Sequence, residues 1–181
     1  MPRIRKETAN SRSDDQEPDL LQGEIIKLMP SLHAFSRTLT RNPTDADDLL
    51  QEGLLKALVN IHQFTPGTNL KAWMFTIVRN TFYTNYKKKR REVAAPLEET
   101  GSVSTEPTQD WTLTMEEVNT AMDNLPGDQK QALMLVGTSG MSYEKAAEVC
   151  GCALGTIKSR VSRGRTKLRE LLVLEARENL L

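Results

Sequence analysis

The side chains of this chain are equipped for charge pairing and hydrogen bonding, not for proton transfer or covalent catalysis. In GTIKSRVSRGRTKLREL, residues 155–171, six cations stand between Lys158 and Arg169 with no acid among them. In FTPGTNLKAWMFTIVRNTFYTNYKKKRRE, residues 64–92, aromatics and cations alternate before a run of five cations. Ammonium and guanidinium groups so arranged meet phosphate oxygens, small hydroxyls reach base edges, and rings stack on unpaired bases. The alternative chemistries are poorly supplied. Only His33 and His62 could act as imidazole bases, and no carboxylate cluster or nucleophile with a neighbouring base is apparent. Cys150 and Cys152 form a lone C-x-C remote from both histidines, which supports neither a metal site nor a disulfide. No cofactor is expected, and a DNA-cleaving enzyme is disfavoured.

The elements that must position these groups are helices. At roughly 100° per residue, Ile157, Val161, Gly164, Leu168, Leu171 and Leu172 form one buried stripe. Ser159, Ser162 and Thr166 lie opposite, beside Lys158, Arg163 and Arg169; Arg160, Arg165 and Lys167 flank the stripe. Just upstream, Ser142 can cap a helix over residues 143–150 whose inner face holds Ala146, Ala147 and Val149. Gly151 then breaks it, and a second helix begins near residues 154–156. Helix, short turn with glycine and second helix is the arrangement that places a recognition helix in the major groove. Residues 125–136, LPGDQKQALMLV, read as a supporting helix started by Pro126.

Charge divides the chain into blocks although its formal net charge is zero. The balance is +5 over residues 21–95, −4 over 96–114, −4 over 115–153 and +6 over 154–169. Two positive blocks separated by negative ones imply two anion-binding surfaces. Residues 96–112, PLEETGSVSTEPTQDWT, carry only acidic charge with Pro, Ser and Thr, which is a linker composition. Residues 1–19 read as a polar, mobile tail. Strand signals are nearly absent. The expected fold is all-α: two small helical domains, 20–95 and 113–178, joined by a flexible acidic linker. No signal peptide and no membrane span is apparent, so the expected compartment is the cytoplasm.

In the first domain, residues 42–61 begin with Asn42 or Thr44 as cap, and Leu50, Leu54, Ala57, Leu58 and Ile61 form the expected buried stripe. Asp45, Asp48, Glu52, Leu55 and Val59 share the far side. Such a face suits a basic, partly apolar protein groove, and it equally suits a dipole complement with a second core contact. On the following helix Leu70, Trp73, Met74, Ile77, Val78 and Thr81 face inward, while Thr76, Arg79, Asn80, Tyr83, Tyr86, Lys87 and Arg90 face out. Rings, cations and an amide together fit single-stranded nucleic acid.

DADDLLQEGLLKAL, NLKAWMFTIVRN and SYEKAAEVCGCALGTIKSRVSRGRTKL, in that order around an acidic linker, resemble the extracytoplasmic-function sigma factors of bacterial RNA polymerase. The likeness covers about residues 20–175, and the version CGCALGTIKSR looks most like the EcfG type of alphaproteobacterial general stress response. The resemblance implies a promoter-directing subunit, monomeric in the holoenzyme, that docks on the beta-prime clamp helices and beta flap of core polymerase. It implies docking through Asp45, Asp48, Gln51, Glu52 and Leu55. It implies capture of the melted minus-10 strand by Thr68, Asn69, Lys71, Arg79, Asn80, Tyr83, Tyr86 and Lys87, with loop 67–71 as the pocket for a flipped base. It implies minus-35 contacts from Thr156, Lys158, Ser159, Arg160, Ser162, Arg163 and Arg165. The acidic linker would follow the RNA exit path of the polymerase. A NepR-type anti-sigma protein would hold the chain inactive. Two other readings remain open at this point: a decoy that binds only the anti-sigma protein, and a stand-alone helix-turn-helix regulator.

Overall fold

The computed structural model describes residues 17–40, 42–92 and 115–178. The expected linker and most of the expected tail lie outside them. Among the described residues there is no strand. Seven α-helices follow one another: α1 Glu17–Leu39, α2 Pro43–Val59, α3 Leu70–Glu92, α4 Met115–Asp123, α5 Gly127–Leu133, α6 Tyr143–Cys150 and α7 Leu154–Glu178. A 3-10 turn, Ile61–Gln63, follows α2, and a single wide turn, Met134–Thr138, extends α5.

The first domain is a bundle of α1, α2 and α3, each packed on the other two. Helix α1 starts three residues inside the expected tail, with Pro18 in its first turn, where a missing N–H costs nothing. Asn42 caps α2: its side-chain carbonyl accepts the Asp45 backbone N–H at 2.7 Å, and Pro43 opens the first turn. The core is built on Leu32, Phe35, Met74, Phe75 and Val78, with the Phe35 and Phe75 ring centroids 5.0 Å apart.

The buried seam of α2 differs from the sequence expectation. It runs through Ala46, Leu49, Leu50, Gly53 and Ala57, while Leu58 is 49% exposed and Leu54 and Ile61 are half-buried. Small residues decide the rotation. A Cβ added at Gly53 would stand 2.9 Å from Val78 Cγ2, so the Val78 side chain of α3 seats on α2 where α2 presents none. Leucine spacing located the correct helix, with Leu50 and Ala57 in its seam, but turned it by a fraction of a turn, because it gave Ala46 and Gly53 no weight as contact residues.

The second domain follows the sequence reading closely. Ser142 Oγ accepts the Lys145 N–H at 3.3 Å and so caps α6. Gly151 ends that helix at φ 60°, the left-handed conformation that lets the chain reverse into α7. Ile157 and Val161 are buried in one apolar cluster with Leu135, Ala146 and Val149, and Gly164 is buried beside Leu133. Gly164 is a contact residue: a Cβ there would meet Leu133 Cδ1 at 2.9 Å and Cγ at 3.1 Å. We expect Gly164→Val to destabilise the chain by about 1–3 kcal/mol through overpacking, although valine forms helix slightly better than glycine. Urea unfolding measures it; an unchanged or raised midpoint would show that Leu133 yields freely.

The two domains are not separate in this structure. Helix α3 packs on α6, and α1 packs on α5 and the wide turn after it. One continuous apolar cluster runs from Ile25 and Leu32 through Phe75 and Val78 to Leu135, Ile157 and Val161.

Candidate nucleic-acid and polymerase interface

Helix α7 carries the first surface. Lys158, Ser162, Arg163 and Arg165 are exposed, and Thr156 and Ser159 are half-buried beside them. Ser159 Oγ donates to the Thr156 carbonyl at 2.9 Å and accepts from the Arg163 guanidinium at 3.0 Å; Arg163 Nε also donates to the Ser159 carbonyl at 3.3 Å. These bonds hold the Arg163 fork along the helix, fixed before any ligand arrives. Arg160 is placed differently. Its Nε lies 3.0 Å from Asp128 of α5 and its side chain is 27% exposed, so it ties α7 to α5 at the edge of the surface.

Helix α3 and the loop before it carry the second. Thr68, Asn69, Asn80, Tyr86 and Lys87 are exposed; Lys71, Arg79 and Tyr83 are half-buried. Asn69 caps α3, its side-chain carbonyl accepting the Ala72 N–H at 2.9 Å. The Arg79 guanidinium lies 4.6 Å from the Tyr83 ring centroid, in cation–π range. Phe82 is flanked by both tyrosines, with Tyr83 edge-on at 5.2 Å and Tyr86 stacked at 6.2 Å.

Between α2 and α3 an open recess of about 280 Å3 is walled by Lys56, Asn60, Gln63, Trp73, Ile77 and Asn80, among others. The sequence reading put the base pocket at loop 67–71, none of whose residues lines this recess; it selected Asn80, counted Trp73 as inward and did not select Lys56, Asn60 or Gln63. Trp73 does both jobs, with one edge packed on Phe64 at 5.4 Å and another lining the recess. The missed amides had a visible signal, since they flank the break between α2 and α3. Only the return of the chain brings them opposite Asn80.

The outer face of α2 carries the third surface. Asp48, Gln51 and Leu55 are exposed, Leu55 by 64% and its neighbour Val59 by 74%. Ile26 and Met29 of α1 and Leu58 add further exposed apolar area. Asp45 is occupied at the helix start, its carboxylate accepting from Asn42 Nδ2 at 2.9 Å. Glu52 is held by Lys56 at 2.7 Å and by Asn85 of α3. The Lys56 ammonium, opposed by some burial and helped by Asn85, holds the Glu52 carboxyl below its usual range. A depressed folded-state pKa contributes stability above the unfolded value and loses it as pH falls through the folded one. The stability advantage of wild type over Glu52→Gln is therefore expected in full above about pH 4.5, the unperturbed value, and should decline as pH falls below it, disappearing only beneath the lowered folded-state pKa. Urea titrations of both chains at neutral and acidic pH check this; an advantage that grows on acidification would contradict it.

An apolar-acidic face, an open recess beside a ring-and-cation face, and a helix-turn-helix with a cationic second helix fit one class: a transcription-initiation factor built from sigma-70 regions. The chain matches sigma-70 region 2 over residues 25–92 and sigma-70 region 4 over residues 115–168. It is 51% identical to the ECF RNA polymerase sigma factor EcfG of Rhodopseudomonas palustris over 162 residues, 89% of this chain and 90% of that protein. It is 33% identical to the ECF sigma factor SigM of Mycobacterium tuberculosis over 78% of this chain and 71% of that one. Among solved structures, it superposes on the sigma factor RpoE of Bartonella quintana, crystallised with the anti-sigma factor NepR. That match has TM-score 0.71 and 44% identity, and covers 83% of this chain and 95% of that chain. The chain belongs to the extracytoplasmic-function sigma factors of bacterial RNA polymerase, of the EcfG type. Among the described residues no helix is long and apolar enough to cross a membrane, and no group of His, Cys, Asp and Glu could hold a metal ion.

Proposed function

We propose that the chain directs core RNA polymerase to stress-response promoters and performs no chemistry of its own. Helix α7 reads the duplex minus-35 element: Lys158, Ser159, Ser162 and Arg163 meet base edges, and Thr156, Arg160 and Arg165 meet phosphates. Loop 67–71 and α3 take the melted minus-10 strand. Asn80 and Tyr83 address bases, Arg79 and Lys87 address phosphates, and the recess beside Trp73 accepts a base turned out of the strand. Asp45, Asp48, Gln51, Glu52 and Leu55 dock on the beta-prime clamp helices, and the second domain meets the beta flap. The chain acts in the cytoplasm as one copy per holoenzyme. A NepR-type anti-sigma protein, the kind bound to the Bartonella relative, restrains it by covering the docking face.

The observation that carries this reading is the pair of cationic helix surfaces, exposed Lys158, Ser162, Arg163 and Arg165 on one helix and exposed Asn80, Tyr86 and Lys87 on another. A chain that only sequestered an inhibitor would have no use for either. The test is in vitro transcription with core polymerase, this chain and a panel of promoters, with and without a NepR-type inhibitor. Promoter-specific transcripts that the inhibitor suppresses are expected. Capture of the inhibitor without any defined transcript would replace the reading with the decoy.

A further inference from the structure

Two guanidinium groups of α7 are held in place by different means. Arg163 is fixed by Ser159, one turn back on its own helix. Arg160 is fixed from another element: its Nε lies 3.0 Å from a carboxylate oxygen of Asp128, in the first turn of α5. The core of the second domain sets where that acid stands. Gly164, one turn beyond Arg160, is pressed on Leu133 and Gln129 of α5, and Ile157, one turn before it, is fully buried. Packing on both sides of Arg160 therefore fixes the reach from Asp128 to α7. Both charges also act on the Cys150 thiol at the end of α6, which burial above all pushes up. The pair thus sits where α5, α6 and α7 converge.

An acid beside a DNA-facing cation can act in two opposite ways. It can compete with phosphate, so that its removal tightens binding, or it can orient the cation, so that its removal loosens binding. The geometry favours orientation. A guanidinium carries five N–H donors and one carboxylate engages at most two of them, which leaves donors for a phosphate oxygen. The Arg160 side chain is mostly covered, yet 27% of it stays open to solvent. An arginine already ordered in this way loses less freedom when a phosphate arrives. Glu144, in the first turn of α6, is the contrast. Its own backbone N–H and Ser142 hold its carboxyl below the usual range, with the charge of Lys158 adding to the effect. Among the described residues no ion pair joins Glu144 to α7.

We propose that Asp128 is a positioning residue for recognition of the upstream promoter element: it holds the Arg160 guanidinium ready for a phosphate of the duplex. The proposal rests on reading α7 as the minus-35 helix with Arg160 on the DNA backbone. It gives α5 a part in promoter binding without requiring α5 to touch DNA. The sign of the effect identifies it. Replacing an acid near DNA by a neutral side chain ordinarily strengthens binding. At Asp128 the same change should weaken it.

The experiment uses the holoenzyme, core polymerase with the full chain. The probe is a fluorescent promoter duplex that carries the upstream element and stops short of the melted region. Affinity is titrated over a series of potassium chloride concentrations for wild type, Asp128→Asn, Asp128→Ser, Asp128→Glu, Arg160→Ala and the Asp128→Asn/Arg160→Ala double variant. Circular dichroism and thermal melting establish that each chain is folded, and separate titrations with core polymerase set concentrations at which every holoenzyme is assembled. The two neutral variants should bind about fivefold more weakly than wild type, as an unordered arginine would. Their salt slope should be shallower by about 0.9, the loss of one phosphate contact. Asp128→Glu keeps the carboxylate and should retain most of both, and the double variant should match Arg160→Ala. Glu144→Gln, which removes an acid near α7 without touching Arg160, should bind at least as tightly as wild type. Tighter binding by the neutral Asp128 variants overturns the proposal, and so does equal weakening by Glu144→Gln. A lowered melting temperature with an unchanged salt slope also overturns it, leaving Asp128 a structural tie. If Arg160→Ala itself leaves the slope unchanged, Arg160 meets no phosphate, and that reading fails and takes the proposal with it.

Discussion

Replacing Lys158 and Arg163 together by alanine should weaken binding of the holoenzyme to its upstream promoter element by about 2–6 kcal/mol, at roughly 1–3 for each base-reading cation. Both side chains are exposed on α7, so the fold should be nearly indifferent to their loss. The Arg163 guanidinium is pre-aimed by its two bonds to Ser159. Less side-chain freedom is then lost on contact, and more of the hydrogen-bond energy appears as discrimination. The loss should be sequence-selective: the doubly substituted chain should distinguish poorly between promoters that differ only in the upstream element. Filter or fluorescence titrations over a set of single-base promoter variants measure this. A loss spread evenly over all sequences would assign the two cations to phosphates and turn the helix in its groove. Arg160 offers the contrast. Its ion pair with Asp128 at 3.0 Å means that Arg160→Ala should cost some stability as well as phosphate affinity.

Phe75→Ala should have the largest effect on the fold, a loss of about 3–5 kcal/mol. Phe75 is fully buried against Phe35 in the α1–α2–α3 bundle. Its surroundings include the fully buried side chains of Leu32, Met74 and Val78, which would lose packing partners at the gap. The cavity would loosen the bundle that carries both the proposed docking face on α2 and the proposed strand face on α3. Urea unfolding should show a lower midpoint with an unchanged slope. A loss below about 1 kcal/mol would mean the bundle collapses around the gap, at the gentle end of large-to-small substitutions.

Much of the molecule was legible in the chain itself. The helix-turn-helix was readable to within a residue, because Ser142 and Gly151 terminate α6 by local hydrogen bonding and backbone conformation alone. The cation surface of α7 was readable for a similar reason. Side chains at helical spacing share a face whatever the helix packs against, and the buried stripe Ile157–Val161–Gly164 fixes which face that is. The exposed Leu55 and Val59 followed from the same periodicity.

Three features were decided only by tertiary packing. The seam of α2 turned toward Ala46 and Gly53 because close approach to Val78 requires the absence of side chain at Gly53. A hydrophobic pattern does not record absence. Phe75 sits one position beyond the inward set that the spacing of α3 suggested, since that helix is covered on more than one side by α1, α2 and α6. Finally, Tyr83 and Lys71 carry the right types for a nucleic-acid face, yet their present partners are Gln131 and Ser139, more than forty residues away in the chain. Residue type and helical phase determine what a surface can bind. Which part of it is available depends on long-range contacts, whose free energies are small differences that no local stretch of sequence contains.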